Sequence, residues 1–184
     1  MTRVRASAIA AIVIVIIAVA AGGAYLAVSR SQGSVYVYIS DPGRGGNVTT
    51  TGIYLTVTSI MVHSASTGKW LTITNRTITV LLSSVPQAVA QANLPPGVYN
   101  EVRLYVSSVT VQLGSVNVSA KLPSNALKIP IVNGGLNVTA GRRAYLVISM
   151  GPHVTQAAGG YIVSPVAVAY AYYAPPNTTT NTTA

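Results

Sequence analysis

Ile53-Tyr54-Leu55-Thr56-Val57-Thr58-Ser59-Ile60-Met61-Val62 is the stretch whose reading decides the fold. Ile53, Leu55 and Val57 alternate with Tyr54, Thr56 and Thr58, the period of two expected where successive side chains point to opposite faces of a β-strand. The alternation then slips, because Ile60 and Val62 fall on even positions. A slip of one residue would turn the apolar face outward, so Thr58-Ser59 reads as a bulge or as a point where the strand leaves one sheet for another. The same happens further on. Val102, Leu104 and Val106 alternate with Glu101, Arg103 and Tyr105, and Val109, Val111 and Leu113 continue in the opposite phase after Ser107-Ser108.

Outward from these two segments, Val35, Val37 and Ile39 alternate with Tyr36 and Tyr38. Trp70–Thr74, Thr77–Leu82, Val116–Leu122, Leu127–Val132, Ala144–Met150 and Tyr161–Tyr172 are further strand candidates, and Asn75-Arg76 reads as a short hairpin turn between two of them. Only Val85–Ala92 has a helical look, with Pro86 at its start and Leu94-Pro95-Pro96-Gly97 closing it. Val, Ile and Thr together make 60 of the 184 residues, a composition suited to pleated sheet. The expectation is an all-β domain over residues 34–173, a two-sheet β-sandwich of about eight to ten strands with one short helical turn. No repeat of solenoid period is present.

Ahead of this domain, Ala6 to Ser29 is a run of 24 residues without a charge. As a helix it reaches about 36 Å, against a bilayer hydrocarbon core of about 30 Å. The reading is one transmembrane helix over residues 6–29, with residues 1–5 cytoplasmic and 30–33 a linker. Arg3 and Arg5 outweigh Arg30, which places the amino terminus inside and the carboxy-terminal domain outside the cell. Ile9 to Ala21 also resembles a signal-peptide core, with Ala18-Val19-Ala20 as a small-residue cleavage pattern, but the length favours a retained anchor. A third reading is pilin-like processing near Arg5-Ala6-Ser7-Ala8.

Eleven basic residues face only two acids, Asp41 and Glu101, and there is no Cys. Thiolate zinc sites and disulfide frameworks are excluded, and any carboxylate dyad would need those two residues together. The formal charge of +9 arises from missing acids rather than from a basic cluster, so nucleic acid is not an expected partner. The Gly43-Arg44-Gly45-Gly46 loop lacks the Lys-Ser/Thr of a phosphate loop, and Asp41 reads as an Asx-type turn. His63 and His153 have no Gly-x-Ser-x-Gly nucleophile beside them, and Glu101 and Arg103, two apart on one strand, read as a local ion pair. No catalytic residue, cofactor or metal is expected.

Six of ten Asn residues begin an Asn-X-Ser/Thr triplet: Asn47, Asn75, Asn117, Asn137, Asn177 and Asn181. They are the expected glycosylation sites of an exterior domain. Residues 174–184, rich in Pro, Asn and Thr, are expected to form a disordered tail. Trp70 and eleven Tyr residues offer a possible sugar-stacking platform, although aromatics in strands more often pack, and Tyr170, Tyr172 and Tyr173 near the last strand suit an edge that pairs with another chain.

The order of landmarks resembles a domain-of-unknown-function family, number 4382. It is carried by Val37-Tyr38-Ile39-Ser40-Asp41-Pro42, then Val57-Thr58-Ser59-Ile60-Met61-Val62-His63, Gly68-Lys69-Trp70, and Leu94-Pro95-Pro96-Gly97-Val98-Tyr99 running into Val102-Arg103-Leu104, within about residues 33 to 172. The motif positions are therefore Asp41, Pro42, His63, Trp70, Pro96, Gly97, Tyr99 and Arg103. The resemblance implies an exported, often membrane-anchored β domain of archaea and bacteria and supplies no catalytic residue.

The expected function is that of a non-enzymatic, membrane-anchored surface protein with a structural, adhesive or interaction role. Its expected partners are membrane lipid through the helix, envelope glycans or surface-layer proteins, and copies of itself. The competing readings are a pilin-like or strand-exchanging filament subunit and a glycan-binding module.

Overall fold

The computed structural model describes residues 31–177 except Pro42, Arg44 and Asn47. The anchor segment 6–29, Pro42, Asn47 and Asn181 thus lie outside the described residues. Twelve strands run β1 (Gly33–Ser40), β2 (Gly45–Gly46), β3 (Gly52–Ser64), β4 (Trp70–Thr74), β5 (Ile78–Leu81), β6 (Gln87–Leu94), β7 (Gly97–Leu113), β8 (Val116–Lys121), β9 (Ala126–Pro130), β10 (Leu136–Val138), β11 (Arg143–Ala157) and β12 (Gly160–Tyr172). The all-β expectation holds.

The two-sheet expectation gives way to a single hydrogen-bonded sheet in the order β4-β3-β7-β8-β12-β11-β1-β6, curled so that β4 and β5 come to face β6. The result is a nearly closed, barrel-like wall around one core. The two phase slips explain the curl. Across the β3–β7 ladder Thr56 pairs with Ser108, Val57 with Val106 and Ser59 with Tyr105, so Ser107 and Thr58 are each an extra residue. Both are bulges. They keep Ile53, Leu55, Val57, Ile60 and Val62 inward on β3, and Val102, Leu104, Val106, Val109 and Val111 inward on β7, all at most 2 % exposed. Each such side chain contributes about 1.5–3 kcal/mol by leaving water. The bulges also mark a change of neighbour: β3 passes from β5 to β4, and β7 passes from β8 to β9.

Two local expectations are corrected. Val85–Ala92 is not helical: Gln87–Leu94 is a strand, antiparallel to β1, with Ala92 opposite Val35 and Ala90 opposite Val37. The helix propensity of its Ala and Gln is overridden by pairing to a buried strand. Asn75-Arg76 is not a hairpin turn either, because β4 and β5 lie one after the other along the same edge of β3. Asn75–Thr77 interrupts that edge opposite the Thr58 bulge, held by Ser59 Oγ donating to Asn75 Oδ1 at 2.8 Å and Arg76 N–H donating to Thr74 Oγ1 at 3.1 Å.

Strand directions define two ends. β1 and β11 are parallel, while β6 and β12 run against them, so Gly33, Leu94, Arg143 and Tyr172 gather at what is called here the near end. The loops 64–69, 95–97 and 131–142 are there too, because β7 starts and β3 finishes at this end and β10 pairs with Gly97–Tyr99. At the far end lie Asp41 and the tight turns Gly114-Ser115 and Ala158-Gly159.

Candidate functional site

Period two decides what the outer wall carries. Val35, Val37 and Ile39 fill the core from β1, which leaves Tyr36 and Tyr38 outward; Ala144, Leu146 and Ile148 do so from β11, which leaves Tyr145 and Val147 outward. On β12, Ala169 and Ala171 turn to the core, and Tyr170 and Tyr172 turn away. In register, Gln91, Tyr36, Tyr145 and Tyr172 form one row across four strands, and Ala88, Tyr38, Val147 and Tyr170 form the next. Tyr36 stacks on Tyr145 with centroids 5.4 Å apart and planes at 21°, and Tyr38 meets the same ring at 6.4 Å. Tyr145 and Val147 are only 8 % and 7 % exposed although they belong to no core face. Their neighbours on the wall cover them. Tyr172 and Tyr173 remain open, at 46 % and 62 %.

At the near end this tyrosine wall runs into a hollow of about 460 Å³ lined by Asn137, Thr139, Arg142, Arg143, Tyr145 and Tyr173. Gly141, at φ +70°, turns the chain so that Arg142 N–H donates to Thr139 C=O at 3.1 Å, and Asn137 N–H donates to the Tyr173 hydroxyl at 3.1 Å. Both arginines are exposed. Arg142 and Arg143 are residues that sequence reading does not single out, because nothing in the local sequence shows the turn that sets them beside the start of β1. The wall was legible in part: Tyr36 and Tyr38 occupy the polar phase of β1, whereas on β12 the phase of Tyr170 and Tyr172 also carries Ile162, Val166 and Val168.

The motif positions divide between structural tasks. His63, Trp70 and Arg103 do come together on the outer face of β3, β4 and β7: the Arg103 guanidinium carbon lies 4.0 Å from the Trp70 ring centroid, the His63 and Trp70 rings are 5.0 Å apart, and His63 Nδ1 is 2.8 Å from Asn100 Oδ1. One face of the Trp70 ring is thus occupied by Arg103. The expected Glu101–Arg103 ion pair is not what these side chains form. Glu101 Oε1 and Arg103 Nε are each buried without a hydrogen-bond partner, while the guanidinium turns to the indole. Tyr99 is buried, its hydroxyl donating to Pro95 C=O at 2.8 Å, and burial raises its pKa above the ordinary 10.0. It fastens the turn at the exposed Pro95-Pro96. Asp41, 4 % exposed at the far end, accepts from Gly43 N–H at 2.9 Å, the Asx-type turn read from sequence.

Asp41 and Glu101 do not share a site, and among the described residues no three His, Asp or Glu side chains gather in one place. Of the expected glycosylation sites, Asn75, Asn117, Asn137 and Asn177 are exposed. The tyrosines of β12 do not lie on an open edge as expected. β12 pairs with β11 along its whole length, and its other side meets β8 at Tyr161-Ile162 and Ile131 at Ala169.

Fold and wall together define an all-β, barrel-like domain with an aromatic outer face and a basic near end. The family model described as Domain of unknown function (DUF4382) matches residues 32–165, and the chain belongs to that family. No curated protein matches the chain, and no solved structure matches it.

Proposed function

We propose that the chain is a non-catalytic surface module, held by a single transmembrane helix over residues 6–29 with its amino terminus in the cytoplasm and its barrel-like domain outside the cell. In this reading the domain holds, or is held by, envelope glycans or surface-layer proteins, and the exposed sequons at Asn75, Asn117 and Asn177 carry sugar. The tyrosine wall is the observation that carries it: Tyr36, Tyr38, Tyr170 and Tyr172, set around a covered Tyr145, form a rigid aromatic surface on paired strands, where stacking against sugar rings or apolar side chains costs little side-chain entropy. The test is recovery of the native chain from membranes with its associates, beside a Tyr170→Ala/Tyr172→Ala variant. The variant is expected to stay in the membrane and lose the associated glycan or protein. Unchanged association would remove the wall from the reading.

One feature favours the filament reading as second choice. β4 and β5 on one side, and β6 on the other, flank a seam of about 550 Å³ lined by residues including Ile73, Ile78 and Val89, and among the described residues none of these strands has a ladder partner across it. Such edges accept strands from other copies. Fibres of a mature chain beginning near Ala6 or Ser7 would favour it over the anchored module.

A further inference from the structure

We infer that the near end of the barrel docks on the anionic headgroup layer of the membrane that holds the helix, so that Arg142, Arg143, Tyr172 and Tyr173 fix the domain's orientation. The inference rests on the anchored reading proposed above and adds a second, reversible contact to it.

Tether length comes first. Arg30 to Gly33 is four residues, at most about 14 Å when extended, so whatever surrounds the start of β1 is held close to the bilayer surface. The surroundings are known from hydrogen bonds: Gly141 N–H donates to Gln32 C=O at 2.9 Å, and Ser34 N–H donates to Arg142 C=O at 2.9 Å. The Gly141-Arg142-Arg143 turn is therefore stitched to the point where the chain leaves the anchor. Because β12 ends beside the start of β11, Tyr172 and Tyr173 arrive at the same level, with Val98 38 % exposed at the start of β7.

The chemistry of this end fits a headgroup layer. Guanidinium forks match phosphate oxygens, and tyrosine is enriched where an apolar ring meets a wet boundary. The hollow between Arg142, Arg143, Asn137 and Thr139 is of a size to admit a phosphate with its ester oxygens, and the backbone turns around it offer no acid to repel one. Of the chain's two carboxylates, Asp41 is at the far end and Glu101 is turned to the His63 and Trp70 side of the wall. Attraction of this kind acts within a Debye length of about 8–10 Å, a distance the short tether enforces.

The chain has no Cys, so single labelling positions are clean. Full-length chain carrying Ala140→Cys at the near end, Ala65→Cys in the near-end loop 64–69 as a second position, or Ala158→Cys at the far end, would be labelled with an environment-sensitive fluorophore in nanodiscs of phosphatidylglycerol or phosphatidylcholine. The expected result is a brighter, blue-shifted near-end probe in phosphatidylglycerol alone, with the far-end probe unchanged. Arg142→Gln/Arg143→Gln should weaken docking roughly 30-fold, since two basic groups near an anionic surface act together. A near-end probe indifferent to lipid charge, or a double variant that docks as well as the parent, overturns the inference. So does a probe that responds to a soluble acidic polysaccharide in phosphatidylcholine instead, or a glycan on Asn137 of the native chain, which would occupy the hollow. Alkaline carbonate separates the two levels: release of the chain removes the anchor and this contact with it, whereas a retained chain with a silent probe removes the contact only.

Discussion

Gly134 and Gly135 have nearly the same backbone conformation, φ +90° and φ +84°, yet stand in different surroundings. A Cβ on Gly134 would meet nothing within 4 Å, whereas one on Gly135 would lie 2.6 Å from Tyr99 C=O and 3.1 Å from Val98 Cγ1. Replacing either by Ala costs about 1–2 kcal/mol for the left-handed backbone. Gly135→Ala adds overpacking against a carbonyl of β7, about 1–3 kcal/mol more. The sum is roughly 1–2 kcal/mol for Gly134→Ala and 2–5 kcal/mol for Gly135→Ala. At about 2–4 °C per kcal/mol for a chain of this size, the second variant should melt several degrees below the first. The readout is thermal unfolding of the full-length chain in detergent, followed by far-UV circular dichroism. Equal melting temperatures would refute the close approach of β10 to β7, and with it the wall that supplies Asn137 and Thr139 to the near-end hollow.

Leu104→Ala, in the fully buried centre of β7, should destabilise the domain by about 2–5 kcal/mol in denaturant unfolding, while Val116→Ala at 58 % exposure should change it by less than about 0.5 kcal/mol. A double-mutant cycle between Trp70→Ala and Arg103→Met should give a coupling of about 0.5–2 kcal/mol, and one between Glu101→Gln and Arg103→Met should give less than about 0.5 kcal/mol; the reverse order would restore the ion pair. Tyr99 has a raised pKa in the folded state, so its contribution is fully present below about pH 10 and is lost as pH rises from there through the folded value. Relative to Tyr99→Phe, the parent chain should therefore lose extra stability above about pH 10, and identical alkaline profiles would count against the desolvated phenol. At neutral pH the same substitution should cost about 0.5–1.5 kcal/mol for the bond to Pro95 C=O.

The bulges were legible because Ile60, Val62, Val109, Val111 and Leu113 are large and aliphatic, so a change of phase shows directly in the alternation. β6 was hidden for the opposite reason. Its inward residues include Ala90 and Ala92, which signal little burial and favour helix in isolation, and only Leu94 marks the core face strongly. The fate of Asn75-Arg76 depended on both flanking strands choosing the same neighbour, a tertiary fact that local turn chemistry does not encode. Closure of one sheet, in place of two stacked ones, depends likewise on which strands meet across β8 and β12, where the ladder is only Tyr161 with Ala120 and Ile162 with Lys121. For the site, the outward phase of Tyr36 and Tyr38 was available from the alternation, but that of Tyr170 and Tyr172, in a strand of small inward Ala residues, and the assembly of the rows needed the register of β1, β11 and β12. Arg142 and Arg143 gained meaning only from the turn that joins them to Gln32 and Ser34.

Lys69, Lys121 and Lys128 are the chain's three lysines; all follow the charge-free segment, and all are exposed on the domain. A membrane-impermeant amine reagent applied to intact cells, read by peptide mass after carbonate washing, therefore tests the outward, anchored placement directly. Modification of all three lysines in a carbonate-resistant chain is the predicted result. Lysines that react only after lysis, on an unglycosylated chain in the soluble fraction, would contradict it.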